Sequence, residues 1–197
     1  MKIAITGNTA GIGKTIHNRL REHEILEFSL DNNYDIFKKE DRQRIIDQCF
    51  DCDVFVNNAY HKWGQVDLLF DLYAKWQNKN KTIINIGSVI GDTLQPWVHE
   101  YQIHKMSIDS ACKQLQPLGK CKVSNIRLGF VDSPMVENWI KDLPKGFKIL
   151  TSDQVADIVL YIINQPANIC IKNISVEPWP SIELFKRLNP TAKPWLE

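Results

Sequence analysis

The chain has 197 residues, 44% hydrophobic, 10% aromatic and 24% charged, the make-up of one ordinary globular domain that can bury a core without disulfides or metals. Twenty-four Lys and Arg against 23 Asp and Glu leave a formal charge of +1, which excludes a global electrostatic footprint for nucleic acid or an anionic membrane. No run of about 18 apolar residues predicts a membrane-spanning helix, and the apolar stretch before Gly7 is too short for a signal peptide, so a cytoplasmic protein is expected.

Strands are predicted over 2–6, 24–29, 53–57, 82–87, 122–128 and 169–176, with a further stub at Asp35-Ile36. Helices are predicted over 12–21, 39–49, 66–77, 101–116 and 152–164, the last opening on Thr151-Ser152-Asp153 as its N-cap. Strands alternating with helices imply a parallel sheet covered on both faces. Residues 1–197 read as a single domain, without linker or internal repeat. Val66, Leu69, Phe70, Tyr73 and Trp76 form one apolar stripe at helical spacing, a core face first and a subunit interface second. Residues 135–150 carry Trp139, Pro144, Gly146 and Phe147 with weak periodicity, and read equally as a lid over a site or as a surface excursion. The tail, 177–197, shows no clear element. Five cysteines, an odd number, suit a reducing compartment, and Cys49 and Cys52 stand as a lone CxxC without a second pair at zinc spacing.

Thr6-Gly7-Asn8-Thr9-Ala10-Gly11-Ile12-Gly13 follows the first strand and opens a helix. Glycine there lets backbone approach a ligand closely, and free N–H groups at a helix start favour a phosphate, so a diphosphate fits this turn. Gly13-Lys14-Thr15 imitates the end of a P-loop, but that motif needs glycine where this chain has Asn8.

Tyr101 and Lys105, four residues apart, share one helix face. The spacing recurs at Tyr34 and Lys38, so alone it says little; Ser88, 13 residues before Tyr101 at the mouth of a strand, makes the trio informative. An ammonium about 4 Å from a phenol is worth roughly 4 kcal/mol, about three pK units. Such a tyrosine would approach neutrality and exchange a proton with a carbonyl/alcohol pair, while the serine hydroxyl holds the reacting oxygen.

With these motifs in order, the sequence resembles the short-chain dehydrogenase/reductase family. TGNTAGIG (6–13) is similar to the family's cofactor turn, Asn57-Asn58-Ala59 to its NNA(G), Ser88/Tyr101/Lys105 to its catalytic set, and IRLGFVDSPM (126–135) to the segment beside the nicotinamide. The resemblance implies a doubly wound, Rossmann-type three-layer α/β sandwich with a mostly parallel sheet of about seven strands. It implies binding of NADP(H) or NAD(H) and hydride transfer to or from a small carbonyl or alcohol substrate. Tyr101 would be the general acid/base, Ser88 would position the substrate oxygen, and Lys105 would tune Tyr101 and hold the nicotinamide ribose. Gly7, Asn8, Thr9, Gly11, Ile12, Gly13 and Ser29 would hold the coenzyme from the first half. Asp35 and Ile36 would flank the adenine, and Asn57, Asn58 and Ala59 would line the channel with Gly129, Val131 and Ser133.

Departures are visible too. Only 31 residues separate Asn57 from Ser88, about 20 fewer than is usual, and the family's active-site Asn has no counterpart, Gln65 being the nearest polar residue. Tyr60 replaces the glycine of NNAG and Leu128 a proline. The shortened helix belongs to the family's dimer face, which weakens the case for a tetramer and leaves room for a homodimer. Neutral Ser29 after the second strand tilts the expectation slightly to NADP(H), with Asp31 able to serve the ribose if the strand runs further. The five histidines lack ligand spacing and no metal site is expected; His61, Trp63 and Trp97 read equally as pocket wall or loop packing. The resulting expectation is an NAD(P)H-dependent oxidoreductase, with a catalytically silent dinucleotide sensor as the alternative.

Overall fold

A computed structural model describes residues 1–92, 98–141, 143 and 147–178. Six strands, β1 (Lys2–Thr6), β2 (Glu24–Phe28), β3 (Val54–Asn57), β4 (Thr82–Ser88), β5 (Lys122–Leu128) and β6 (Asn173–Val176), form one sheet in the order β2-β1-β3-β4-β5-β6. Every pairing is parallel. The helices are α1 (Gly11–Arg19), α2 (Lys39–Gln48), α3 (Gly64–Trp76), α4 (Glu100–Leu115), α5 (Glu137–Ile140) and α6 (Ser152–Ile163). Thr151 caps α6, its hydroxyl accepting from Gln154 N–H while the Gln154 side chain accepts from Thr151 N–H, a reciprocal pair that fixes where the helix starts.

Two apolar layers sandwich the sheet because successive side chains of each strand face opposite sides. On one face Ala4, Phe55, Ile83 and Val123 meet Ile45, Leu69, Trp76 and Ile108 from α2, α3 and α4. On the other, Ile3, Ile5, Val56, Ile84 and Ile126 meet Ile16 of α1 and Val155 and Val159 of α6. Each fully buried Ile, Leu or Phe contributes about 1.5–3 kcal/mol relative to an exposed one. The predicted stripe of α3 splits accordingly: Val66, Leu69, Tyr73 and Trp76 are buried, whereas Phe70 stands 43% exposed. Cys49 and Cys52 are buried free thiols.

Of the about seven strands expected, six lie among the described residues. Asp35-Ile36 forms no strand: the chain leaves β2 through a 3₁₀ turn (Leu30–Asn32), passes Asn33 in the left-handed region (φ 66°) and reaches α2 without pairing. The last predicted strand starts later than expected, at Asn173. Trp97, Pro144, Gly146 and 179–197 lie outside the described residues. The start of the expected lid is a 3₁₀ turn (Pro134–Val136) running into α5, and Leu150 beyond it pairs with Val131.

This topology fixes where a ligand can sit. From β1 the chain moves outward to β2 and then returns across β1 to β3, so the loops after β1 and β3 diverge and open a crevice at the carboxyl edge.

Candidate functional site

A cleft of about 400 Å³ lies at that edge, within the range of small-molecule sites. Its lining runs from Ser29, Asp31, Asp35 and Ile36, past Gly7, Thr9, Gly11, Ile12 and Gly13, to Asn58, Ala59, Ser88, Tyr101, Lys105, Gly129, Val131 and Ser133. Residues separated by more than a hundred positions thus share one wall.

The glycine turn is built for close approach. Gly7 adopts φ 70°, and a Cβ on Gly13 would stand 2.0 Å from the Gly7 carbonyl oxygen, so neither position accepts a side chain without displacement. The start of α1 at Ala10 carries no side-chain cap and its first turn no acid, which leaves backbone N–H groups for an anion. Asn58 locks the turn from β3: its Nδ2 donates to the carbonyls of Thr6 (3.0 Å) and Gly7 (3.1 Å). The Thr6 hydroxyl accepts from the N–H groups of Asn58 and Ala59, each at 3.0 Å. Thr6 was visible in the sequence as the residue before Gly7, yet nothing there showed that it ties two loops together.

Two expected channel residues turn away. Asn8 donates to the Glu27 carboxylate at 2.6 Å, outside the cleft. Asn57 is fully buried, its amide donating to Gln65 O (3.0 Å) and Asn85 Oδ1 (2.9 Å) beneath α3. Strand alternation accounts for the second correction, since Asn58, not Asn57, faces the turn. Asp35 lines the cleft and holds both Phe37 N–H and His61; burial works to raise its carboxyl, but these partners hold it below the usual carboxylate range. Asp31 joins the lining next to neutral Ser29. Lys105 is the sole Lys or Arg among the described lining residues; the nearby Arg44 stacks on Tyr34 and pairs with Asp41.

At the other end Ser88, Tyr101 and Lys105 come together. Ser88 closes β4, its Oγ lying 3.1 Å from the Leu128 carbonyl and accepting from Ile90 N–H at 3.2 Å. Tyr101 and Lys105 sit on the first turns of α4. Tyr60 packs edge-on against Tyr101 (centroids 4.9 Å), and the Lys105 Nζ stands 5.5 Å and 5.6 Å from the centres of the Tyr60 and Tyr101 rings. Tyr60 also lies 2.9 Å from His104 Nδ1, and Trp63 packs on His104. Of the residues left open as pocket wall, His61 and Trp63 stand outside the cleft lining and Trp97 lies outside the described residues, whereas Tyr60 lines the cleft.

The electrostatics differ from expectation. Burial pushes Tyr101 up to about 12, its hydrogen bond with Ser88 working the other way and the neighbouring Tyr60 adding to the rise. Burial also lowers Lys105 to about 7. Taking both groups out of water costs each its charged form, and this outweighs their mutual attraction. The phenol therefore keeps its proton at neutral pH.

No protein-family model and no curated sequence matches this chain. Solved structures do. A 4-hydroxyisoleucine dehydrogenase complexed with NADH superposes with a TM-score of 0.77 at 15% identity, over 91% of this chain and 98% of that one. A closed serine dehydrogenase complexed with NADP+ gives 0.74 at 18% identity over 90% and 95%. A short chain dehydrogenase from Burkholderia cenocepacia in complex with NADP gives 0.71 at 15% identity over 96% and 93%. The fold is that of the short-chain dehydrogenases and reductases. The six-stranded parallel sheet and its carboxyl-edge crevice are the features of that fold seen among the described residues. No helix of the described residues is long and apolar enough to cross a membrane.

Proposed function

We propose that this chain is an oxidoreductase of the short-chain dehydrogenase/reductase type that reduces a small carbonyl compound. The observation that carries the reading is the convergence of Ser88, Tyr101 and Lys105 at one end of a cleft whose other end is a glycine turn with a bare helix start. A bound nicotinamide coenzyme would supply the hydride. Gly7, Gly11 and Gly13 would admit its diphosphate, Ala59, Gly129 and Val131 would wall its middle, and Lys105 and Ser133 would lie at its nicotinamide end.

The chain's own part is orientation and proton delivery. Ser88 Oγ is fixed by the loop after β4 and would hold the carbonyl oxygen. Tyr101, protonated to about pH 12, would donate to that oxygen as it gains negative charge. With its proton in place at neutral pH, Tyr101 would serve as the donor when a carbonyl is reduced. Asp31 and Asp35 at the adenosine end would repel a 2′-phosphate and accept from ribose hydroxyls, which supports NAD(H) over NADP(H).

The test is coenzyme consumption with a panel of aldehydes, ketones and quinones, wild type against Tyr101→Phe. The variant is expected to bind NADH normally and to lose about 10²- to 10⁴-fold in turnover. Equal rates for both proteins on every substrate, with binding intact, would leave a silent dinucleotide sensor as the better account.

A further inference from the structure

Gln65 opens α3 one residue after Gly64 and is 1% exposed. Its Nε2 donates to the carbonyls of Asn57 (2.8 Å) and Ile86 (3.1 Å), and its Oε1 accepts from Lys105 Nζ at 2.8 Å. Lys105, itself 4% exposed, also donates to Ile86 O at 2.8 Å. The amide thus spans β3, β4 and α4. The titratable groups that face the ammonium are the phenols of Tyr60 and Tyr101, whose ring centres stand 5.5 Å and 5.6 Å away.

We infer that Gln65 is the positioning residue of this site, an amide strut that clamps Lys105 to β4 and gives its ammonium a hydrogen-bond acceptor where water does not reach. Its functional meaning rests on the oxidoreductase reading; the contact itself does not. An ammonium donates more strongly than a neutral amine, so an amide oxygen at this distance favours the charged form. Burial opposes it, and the balance leaves Lys105 near 7, poised to be charged or neutral under ordinary conditions. An amide neither takes nor gives a proton at this pH, so Gln65 orients and stabilises without relaying. A tie between β3 and β4 alone would use only the Nε2 side; the oxygen turned to Lys105 is what a purely structural role leaves unexplained.

The test follows Lys105 directly by NMR in the free protein, through its ε-carbon, assigned by its loss in Lys105→Met. In wild type the Gln65 side-chain amide is expected to titrate with the same midpoint as Lys105. Gln65→Leu, close in volume and without an acceptor, should lower that midpoint by about one pH unit or more, and Gln65→Glu should raise it by a similar amount. Opposite shifts in two near-isosteric variants support the strut. A Gln65 amide that stays flat while Lys105 titrates overturns it even if neither variant folds; so do folded variants with wild-type midpoints. If turnover is found, the falling alkaline side of carbonyl reduction should move upward in Gln65→Glu, whereas a structural role alone would lower kcat evenly at all pH values. Because the NMR readout needs neither coenzyme nor substrate, a protein that reduces nothing would sink the oxidoreductase reading and leave this inference to its own result.

Discussion

Replacing Thr6 by valine removes one hydroxyl at constant shape from the junction on which the coenzyme turn depends. Thr6 is fully buried, and its Oγ1 accepts from the N–H groups of Asn58 and Ala59. Asn58 N–H retains a second acceptor in Val56 O at 3.1 Å, so the loss falls mainly on Ala59. One partly buried donor left unpaired and one weakened cost about 1–3 kcal/mol together, roughly a 5- to 150-fold change in the folding equilibrium. Urea denaturation followed by tryptophan fluorescence should show a lower midpoint at unchanged slope. Dinucleotide affinity should fall as well, since the loop that loosens carries Asn58, whose amide pins the Thr6 and Gly7 carbonyls. Thr6→Ser keeps the acceptor and should retain most of the affinity despite a lost methyl group. A Thr6→Val protein with wild-type stability and affinity would refute the idea that this hydroxyl joins the β1 and β3 loops.

Gly13→Ala should weaken dinucleotide binding by at least about tenfold, because its Cβ would lie 2.0 Å from Gly7 O and 2.4 Å from Asn58 Nδ2; unchanged affinity in a fluorescence titration would put the diphosphate elsewhere. Asp31→Ser should narrow the preference for NADH over NADPH by about tenfold in separate titrations, and a wild type that favours NADPH contradicts the charge argument outright. The pH dependence of the reverse reaction follows from Tyr101: its raised pKa means the proton is held below about 12, so only about one phenol in 10⁵ is ionised at pH 7. Alcohol oxidation should therefore climb close to tenfold per pH unit between 7 and 9, and a plateau by pH 8 would mean that the phenol ionises far more easily.

Much of the architecture was legible because apolar alternation and helical spacing set each element independently of its neighbours. Ile3/Ile5 and Val54/Val56 announce strands, and Thr151 with Gln154 announces the start of α6. The trio at Ser88, Tyr101 and Lys105 was legible through spacing and strand position. What the sequence hid depends on how side chains turn once the strands are laid side by side. Asn57 and Asn58 look equivalent in a motif, yet alternation sends one into the core and the other to the glycine turn. Asp35-Ile36 has strand-forming character on one side only, and the left-handed Asn33 before it directs the chain away from the sheet. The phenol's acidity is hidden for a related reason: spacing reports proximity of charge but not the loss of water around both partners, which holds Tyr101 above the ordinary phenol range. Gln65 was recognisable as polar near the right place, but its grip on Lys105 depends on the angle at which α3 leaves β3.

Among the described residues no strand pairs with the outer side of β2. There β2 forms the rim of the sheet, and a bare rim is a template on which an extended segment of another polypeptide can zip up. Here the rim is only five residues long, its Glu24 and Glu27 carboxylates lie against Lys2 and His17, and its Glu27 carbonyl is taken by the Asn32 side chain at 2.7 Å. The described sheet thus ends in a short, blunted border.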